Sequence, residues 1–316
     1  MIRVTVLMAV WKTPCQQLAQ AVESILAQSF RDFEFVIVDD GNASPALIGQ
    51  MRSYASADAR VRLLHEPHRG LTSSLNRGLA LARGEFLARQ DADDWSEPAR
   101  LERQLAFFAE HPVAVLCGAD TWMHQANGRK LWRTCLPQTH ARIQRALEGG
   151  NPFVHGSTMF RTRSALNAGG YRAELKCSQD YDFFWRLSER GEAANLDEPL
   201  YHYRYSAGAV SAGKAEEQAL AHEAAQLLAA ARRAGRPENV GAALVEAERR
   251  LTENAGFYGA RLKQADHLML AGEYRRALSA YAALLARHPA SSLAWGKLLR
   301  LGVFCSLPLA REACFR

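Results

Sequence analysis

Phe86-Leu-Ala-Arg-Gln-Asp91-Ala-Asp93-Asp94-Trp95 sets three carboxylates within four residues directly behind a short apolar run. Like charges this close repel and raise one another's pKa, so a chain keeps them together most readily around a cation. In an extended chain Asp91 and Asp93 point to the same side, and the small Ala92 between them lets another group approach. Two oxygen ligands can then share one ion. Mg²⁺ and Mn²⁺ prefer oxygen and complete such a shell with waters and substrate phosphates. The plainer reading of the same residues is a solvated acidic turn capping a helix at Glu97, and short acidic motifs do match by accident. The surrounding chain has to decide.

Upstream, Arg3–Val10 alternates β-branched and apolar residues, and Gln16–Gln28 carries Leu18, Val22, Ile25 and Leu26 on one helical stripe. Phe33–Val38 is a second buried run ending on Asp39-Asp40-Gly41, and Pro45–Ser56 reads as a helix. Val61–Leu64, a helix over Leu71–Ala82 and a strand at Glu85–Ala88 follow. The first 90 residues are therefore a βαβ series on a mostly parallel sheet. Ligands bind at the carboxyl ends of such strands. Asp39-Asp40 and Asp91–Asp94 both lie at such ends, which predicts that two acidic clusters converge on one crevice.

Downstream, a helix over Glu97–Glu110, a short strand at Val113–Cys117 and a hairpin about Asn127-Gly128 are expected. Asn151-Pro-Phe-Val-His155-Gly156 is a loop before the strand-like Ser157–Phe160, and Gly169-Gly170 stops the helix after it. Ser178-Gln-Asp180-Tyr-Asp182 opens an amphipathic helix through Glu189, with Asp180 near its positively polarised N-terminus.

At 316 residues the chain suits one large domain with an appendage, and 48% hydrophobic residues suffice for a sizeable core. Six cysteines, with no Cys-x-x-Cys pair, argue against a zinc site or a redox dithiol. Met-Ile-Arg-Val-Thr-Val runs straight into a strand pattern without a leader, and no apolar run approaches a membrane span, so a cytoplasmic location is expected. The net charge of +6 suits anionic partners such as nucleotide phosphates or acidic lipids. With no zinc finger, RNA-binding aromatic motif or long basic run, nucleic acid is not an expected partner.

From about Ala215 the chain is rich in Ala, Leu, Arg and Glu with helical periodicity. Gly272-Glu-Tyr274, Ala277, Tyr281 and Pro289 fall in the register of one tetratricopeptide repeat, a helix pair. Its expected role is packing rather than a free-standing peptide-binding array, since one repeat cannot bury its own face. Trp295–Arg316 reads either as a membrane-surface helix or as an ordinary terminal packing helix.

The ordered set Ile37-Val-Asp39-Asp40-Gly41, Gly70–Gly78, Ala82–Asp94, Arg100–Gln104, His111-Pro112, His155–Arg161, Gly169-Gly-Tyr171, Gln179–Asp182 and Tyr203-Arg204 resembles family 2 glycosyltransferases, over roughly residues 1–211. The resemblance implies an α/β GT-A fold, a Rossmann-like mixed sheet with flanking helices, over 1–211, and leaves 212–316 as the helical appendage. It implies that Asp39 contacts the nucleotide base, Asp91 the ribose or metal, and Asp93 a Mn²⁺ or Mg²⁺ ion bridging the diphosphate. Ala9-Val10-Trp11 would line the base pocket, although Trp11 reads equally well as core and Asp39 also as a turn cap. Asp180 would be the catalytic base of an inverting, metal-dependent hexosyltransferase, a role that can coexist with capping its helix, while Asp182 reads as structural. The donor would be a UDP- or dTDP-sugar and the acceptor a saccharide or lipid-linked oligosaccharide of a surface polysaccharide, at the inner face of the membrane.

Two departures matter. Gln179 stands where many relatives have Glu, and Ser206 where they often have a His that holds metal or diphosphate; His202 and Tyr205 are candidate substitutes. These departures motivate an alternative reading as a glycosyltransferase-like binding or scaffold protein that has lost turnover.

Overall fold

The computed structural model describes residues 2–206, 213–253 and 257–306. Contacts divide the chain into two compact units, Met1–Trp122 with Arg133–Tyr203, and Met123–Trp132 with Arg204–Arg316. The boundary expected at 211/212 falls outside the described residues.

The first unit alternates strand and helix as its periodicity predicts. Val4–Val10 (β1), Phe33–Asp40 (β2), Val61–Glu66 (β3) and Phe86–Arg89 (β4) alternate with helices Cys15–Leu26 (α1), Pro45–Ala57 (α2) and Leu71–Ala80 (α3). β1 pairs in parallel with both β2 and β4, and β2 with β3. Every residue of β2 is buried, as expected for a strand covered by helices on both faces. Trp95–Ser96 (β5), Arg100–Glu110 (α4), Ala114–His124 (β6), Lys130–Arg133 (β7), His140–Leu147 (α5), Met159–Arg161 (β8), Thr162–Asn167 (α6), Gln179–Ser188 (α7) and Glu192–Arg204 (β9) follow, with the end of β6 and most of β7 counted in the second unit. The nine strands form one mixed sheet in the order β3-β2-β1-β4-β8-β6-β9-β5, with β7 beside β6.

Three expectations change. The helix expected from Glu97 starts at Arg100. The strand expected at Val113–Cys117 runs on to His124, because its polar Asp120 and Thr121 find partners across the hairpin: Asp120 pairs with Arg133 at 2.9 Å and Thr134 Oγ1 accepts from Thr121 N at 2.8 Å. α7 is not amphipathic, since nine of its ten residues are buried and Asp180 alone is not. Its polar residues are absorbed by pairing, with Asp182 accepting from Arg172 at 2.8 Å and from Arg186 at 2.7 Å.

The quoted acidic stretch rests on a polar hub that the sequence hides. Arg100 is fully buried, donating to Gln90 Oε1 at 3.1 Å, Ser96 Oγ at 2.8 Å and Arg89 O at 2.5 Å. Gln104, one turn on, donates to Cys117 O and Ser157 O. Each of these buried polar groups is satisfied by the network, so the hub ties β4, β6 and the turn before β8 together beside the strand ends that bear the candidate site. Burial holds the Arg100 guanidinium down at about 10.

In the second unit, Ala215–Arg233 (α8), Val240–Glu253 (α9), Tyr258–Leu270 (α10), Tyr274–Arg287 (α11) and Ser292–Ser306 (α12) follow one another. Leu262, Ala265 and Leu268 of α10 pack with Ala277, Tyr281, Leu284 and Leu285 of α11 around Ala294, which gives the expected helix pair a common core. The hairpin tip belongs here too: Gln125 Nε2 donates to Tyr274 Oη at 3.3 Å, and Tyr205 N to His124 O at 2.8 Å. Leu293, Trp295 and Leu299 on α12 are exposed. Residues 307–316 of the expected membrane-surface segment lie outside the described residues. No helix among the described residues is long and apolar enough to cross a membrane.

Candidate active site

Strand register brings the two acidic clusters together. Val10 lies opposite Asp39 on one side of β1, and Leu7 opposite Arg89 on the other. The clusters thus flank the carboxyl end of β1, two strand spacings or roughly 10 Å apart.

Asp39 and Asp40 are both buried. Asp39 Oδ1 accepts from Asn42 N at 3.0 Å and Asn42 Nδ2 at 2.6 Å, and its Oδ2 lies 2.9 Å from His65 Nδ1. One oxygen therefore caps the turn after β2 while the other faces a half-exposed histidine. Asp40 Oδ2 lies 2.8 Å from His68 Nδ1, and Asp40 accepts from the Arg69 and Gly70 amides at the start of α3. Val10 is a core residue that contributes its carbonyl to Asn42 Nδ2, and Ala9 is partly exposed beside it. Trp11 is 38% exposed and therefore not core; it stacks on His68 with ring centroids 3.7 Å apart. Lys12 next to it holds φ at +53°, a left-handed conformation costly for a residue with a Cβ, and its N–H donates to Asn42 Oδ1 at 2.7 Å.

At the other cluster the chain is not extended. Ala92 and Asp93 form a turn, so the turn rather than strand alternation sets the directions of Asp91 and Asp93. Asp91 Oδ1 accepts from Arg89 Nη2 at 2.6 Å, its N–H donates to Tyr201 Oη at 3.1 Å, and its Oδ2 has no donor among the described residues. Arg89 is itself buried, with Nη1 on Leu7 O at 3.1 Å and Nε unpartnered among the described residues. Gly156 makes the approach possible, since a Cβ there would lie 2.7 Å from Asp91 Oδ2 and 2.0 Å from Tyr201 Oη. Asp94 is buried and Asp93 partly exposed.

Asp180 comes from the first turn of α7, behind Ser178, whose φ of +50° makes it, with Lys12, one of two described non-glycine residues in the left-handed region. Its Oδ2 accepts from Asn151 Nδ2 at 2.8 Å, and no backbone N–H of the described residues caps onto it, so the capping alternative has no hydrogen bond behind it. His155 Nε2 lies 3.0 Å from Tyr171 Oη. Burial pushes the His155 imidazole down, Arg89 adds to that, and Asp180 and Asp91 oppose it, which puts all four groups in one electrostatic neighbourhood. Burial pushes the Tyr171 phenol up. Asn76 fixes the tyrosine from α3, donating to its carbonyl at 2.7 Å and accepting its N–H at 2.9 Å. Gly170, at φ +64°, lies so close that a Cβ would meet Asn76 Oδ1 at 2.7 Å.

Among the described residues no three His, Cys, Asp or Glu side chains converge as a ready-made metal cage. Two acidic oxygen donors at a turn, one with an oxygen that no described protein donor occupies, suit a hard cation that brings phosphate ligands with it. Of the candidate substitutes for the histidine expected near Ser206, His202 is engaged by Glu97 at 2.7 Å and stacked on Trp95. Tyr205 contacts the rings of Trp132 and His267, and burial pushes its phenol up to about 12. Ser206 O is bonded to His267 Nε2 at 2.8 Å.

Arg89, Asn42, His65 and His68 were not singled out by the sequence. Arg89 had a signal, a charge in an otherwise apolar strand; Asn42, three residues after Asp39, had that of an Asx turn.

The profile described as Glycosyl transferase family 2 matches residues 5–170. The amylovoran biosynthesis glycosyltransferase AmsE of Erwinia amylovora is 31% identical over 190 residues, 60% of this chain and 71% of that protein. TarS of S. aureus in complex with UDP-GlcNAc superposes with a TM-score of 0.62 at 17% identity, over 96% of this chain and 91% of that one. The mannosyltransferase PcManGT of Pyrobaculum calidifontis, in complex with GDP-Man and Mn²⁺, superposes with a TM-score of 0.55 at 19% identity, over 98% and 82%.

Proposed function

This chain belongs to glycosyl transferase family 2, and we propose that it is an inverting hexosyltransferase carrying a sugar from a UDP- or dTDP-linked donor to a saccharide or lipid-linked acceptor of a surface polysaccharide. The observation that supports the reading is that one loop touches both acids: Asn151 Nδ2 donates to Asp180 Oδ2 at 2.8 Å, and Gly156 lies so close to Asp91 that a Cβ there would meet Oδ2 at 2.7 Å. The relative AmsE, named for amylovoran biosynthesis, supports the polysaccharide assignment.

In this reading Asp180 takes the proton of an acceptor hydroxyl as its oxygen bonds to the anomeric carbon and the bond from that carbon to the diphosphate breaks. Attack from the face opposite the leaving group inverts the centre, the geometry of inverting glycoside hydrolysis. Asn151 holds the Asp180 carboxylate in orientation, and Arg89 holds that of Asp91. Asp91 and Asp93 would hold Mn²⁺ or Mg²⁺, which when bound neutralises charge on the departing diphosphate; the Mn²⁺ of PcManGT is in keeping with this. Asp39 meets the nucleotide base beside Ala9, Val10 and Trp11.

The helical unit serves placement. Residues 1–203 carry 23 Lys and Arg against 23 Asp and Glu, whereas 204–316 carry 16 against 10, so the chain's whole surplus of +6 lies in that C-terminal part. Each basic residue near an anionic bilayer adds roughly 1 kcal/mol of attraction, so the exposed Leu293, Trp295 and Leu299 would meet a membrane surface bearing the acceptor. Removing Trp295–Arg316 should reduce cosedimentation with anionic vesicles and leave donor hydrolysis unchanged. Equal behaviour of both proteins towards vesicles removes the membrane role.

The enzymatic reading is tested by donor hydrolysis: the purified protein should release UDP from a UDP-sugar in Mn²⁺. Binding without any turnover would favour the alternative of a sugar-nucleotide-binding scaffold.

A further inference from the structure

The related structures bind both uridine and guanosine nucleotides, and resemblance alone does not say which base this pocket admits. The hydrogen bonds of Asp39 do. A carboxylate oxygen has two lone pairs. On Oδ1 both are taken, by Asn42 N at 3.0 Å and Asn42 Nδ2 at 2.6 Å. On Oδ2 one is taken, by His65 Nδ1 at 2.9 Å. Among the described residues a single lone pair remains, on the oxygen facing His65.

Guanine presents two adjacent donors, N1–H and the exocyclic amine, which a carboxylate binds side by side through both oxygens. Here the second guanine N–H would meet an oxygen already saturated, and a buried donor left unmatched weighs heavily against binding. Uracil and thymine present one N3–H and need one acceptor. Cytosine and adenine present a ring-nitrogen lone pair at the equivalent place, which a carboxylate repels.

We propose that Asn42 is a specificity-determining residue: by saturating one oxygen of Asp39 it makes the pocket accept a uracil or thymine nucleoside diphosphate and refuse guanine. The proposal rests on the assignment of Asp39 to the nucleotide base made above. Asn42 is fixed for this role, since its side chain also donates to Val10 O at 2.8 Å and accepts the N–H of the strained Lys12 at 2.7 Å. His65 is half-exposed and touches only the other oxygen, so it is not the discriminating group.

The test is calorimetric titration of the full chain in Mn²⁺ with UDP, dTDP, GDP, CDP and ADP. UDP and dTDP should bind, with the other three at least about tenfold weaker, the scale of one buried donor left unmatched. Asn42→Ala should narrow the ratio of UDP to GDP affinity towards one, and His65→Ala should leave GDP excluded, with melting temperatures showing that each variant is folded. If Asn42→Ala does not fold, Asn42→Leu, close to asparagine in shape and without a side-chain donor, replaces it. GDP binding the parent as tightly as UDP, or a folded Asn42 variant with an unchanged ratio, overturns the proposal while leaving nucleotide binding intact. If none of the five nucleotides binds, the assignment of the site itself fails with it.

Discussion

The aspartates at the end of β2 and the pair Asp91 and Asp180 differ in how fully the described residues satisfy their oxygens. At β2 every carboxylate oxygen of Asp39 and Asp40 has a protein partner, drawn from Asn42, His65, His68 and the start of α3. At β4 and the facing helix, Arg89 takes one oxygen of Asp91 and Asn151 takes one of Asp180, and the second oxygen of each has no donor among the described residues. A saturated carboxylate is a fixed wall that recognises by what little acceptor capacity it keeps. An unsaturated one is available to a cation or to a proton. In the proposed reading the first region selects the base and the second carries the chemistry.

The sharpest way to break this division is to compare two acids two residues apart on α7. Asp180→Asn should lower transfer on the order of 10²–10⁴-fold, the usual share of a general base, with donor affinity nearly intact in titration. Equal losses of affinity and rate would make Asp180 a structural residue. Asp182, buried between Arg172 and Arg186, belongs to the saturated kind. Asp182→Asn should cost about 3–5 kcal/mol of stability, as when one partner of a buried pair is removed. A denaturation midpoint matching the parent would show that the pair does not support the fold.

A smaller effect concerns protons. Burial lowers the pKa of His155 in the first unit and of His267 in the second below the usual 6.5. Above pH 6.5 folded and unfolded chains both hold these rings neutral. As pH falls below that value the unfolded chain takes up protons that the folded one refuses, so stability declines until the folded pKa is reached. Each ring contributes a slope of at most about 1.4 kcal/mol per pH unit. Thermal unfolding between pH 7 and 5 should show His155→Gln less acid-sensitive than the parent; identical slopes would mean His155 is not held neutral.

Much of the fold was legible because its signals are local. The β1–β4 alternation follows from hydrophobic period, and the hairpin from Asn127-Gly128, with Gly128 at φ +86°. What escaped reading depends on partners distant in sequence. Val113–Cys117 reads as a short strand separate from the hairpin segment at Thr121–Met123 until Asp120, paired with Arg133, is seen to join them in one strand. Nothing local marks Arg100 as buried; Gln90, Ser96 and the β4 carbonyl converge on it only in the fold. The acids of the site stood out as clustered charge, but which oxygen of each is occupied depends on Arg89, Asn42 and Asn151, whose roles appear only when the chain is folded.

The central claim, that the acidic turn after β4 takes a cation together with the nucleotide, is tested most directly by titrating UDP into the parent and into Asp93→Asn, with Mn²⁺ and with chelator. The account predicts that chelation weakens UDP binding to the parent by at least about tenfold, the scale on which a charged contact left unpaired shows itself, and that Asp93→Asn binds weakly with or without Mn²⁺ while melting as a folded protein. UDP affinity that is the same in parent and variant, in Mn²⁺ and in chelator alike, would contradict it.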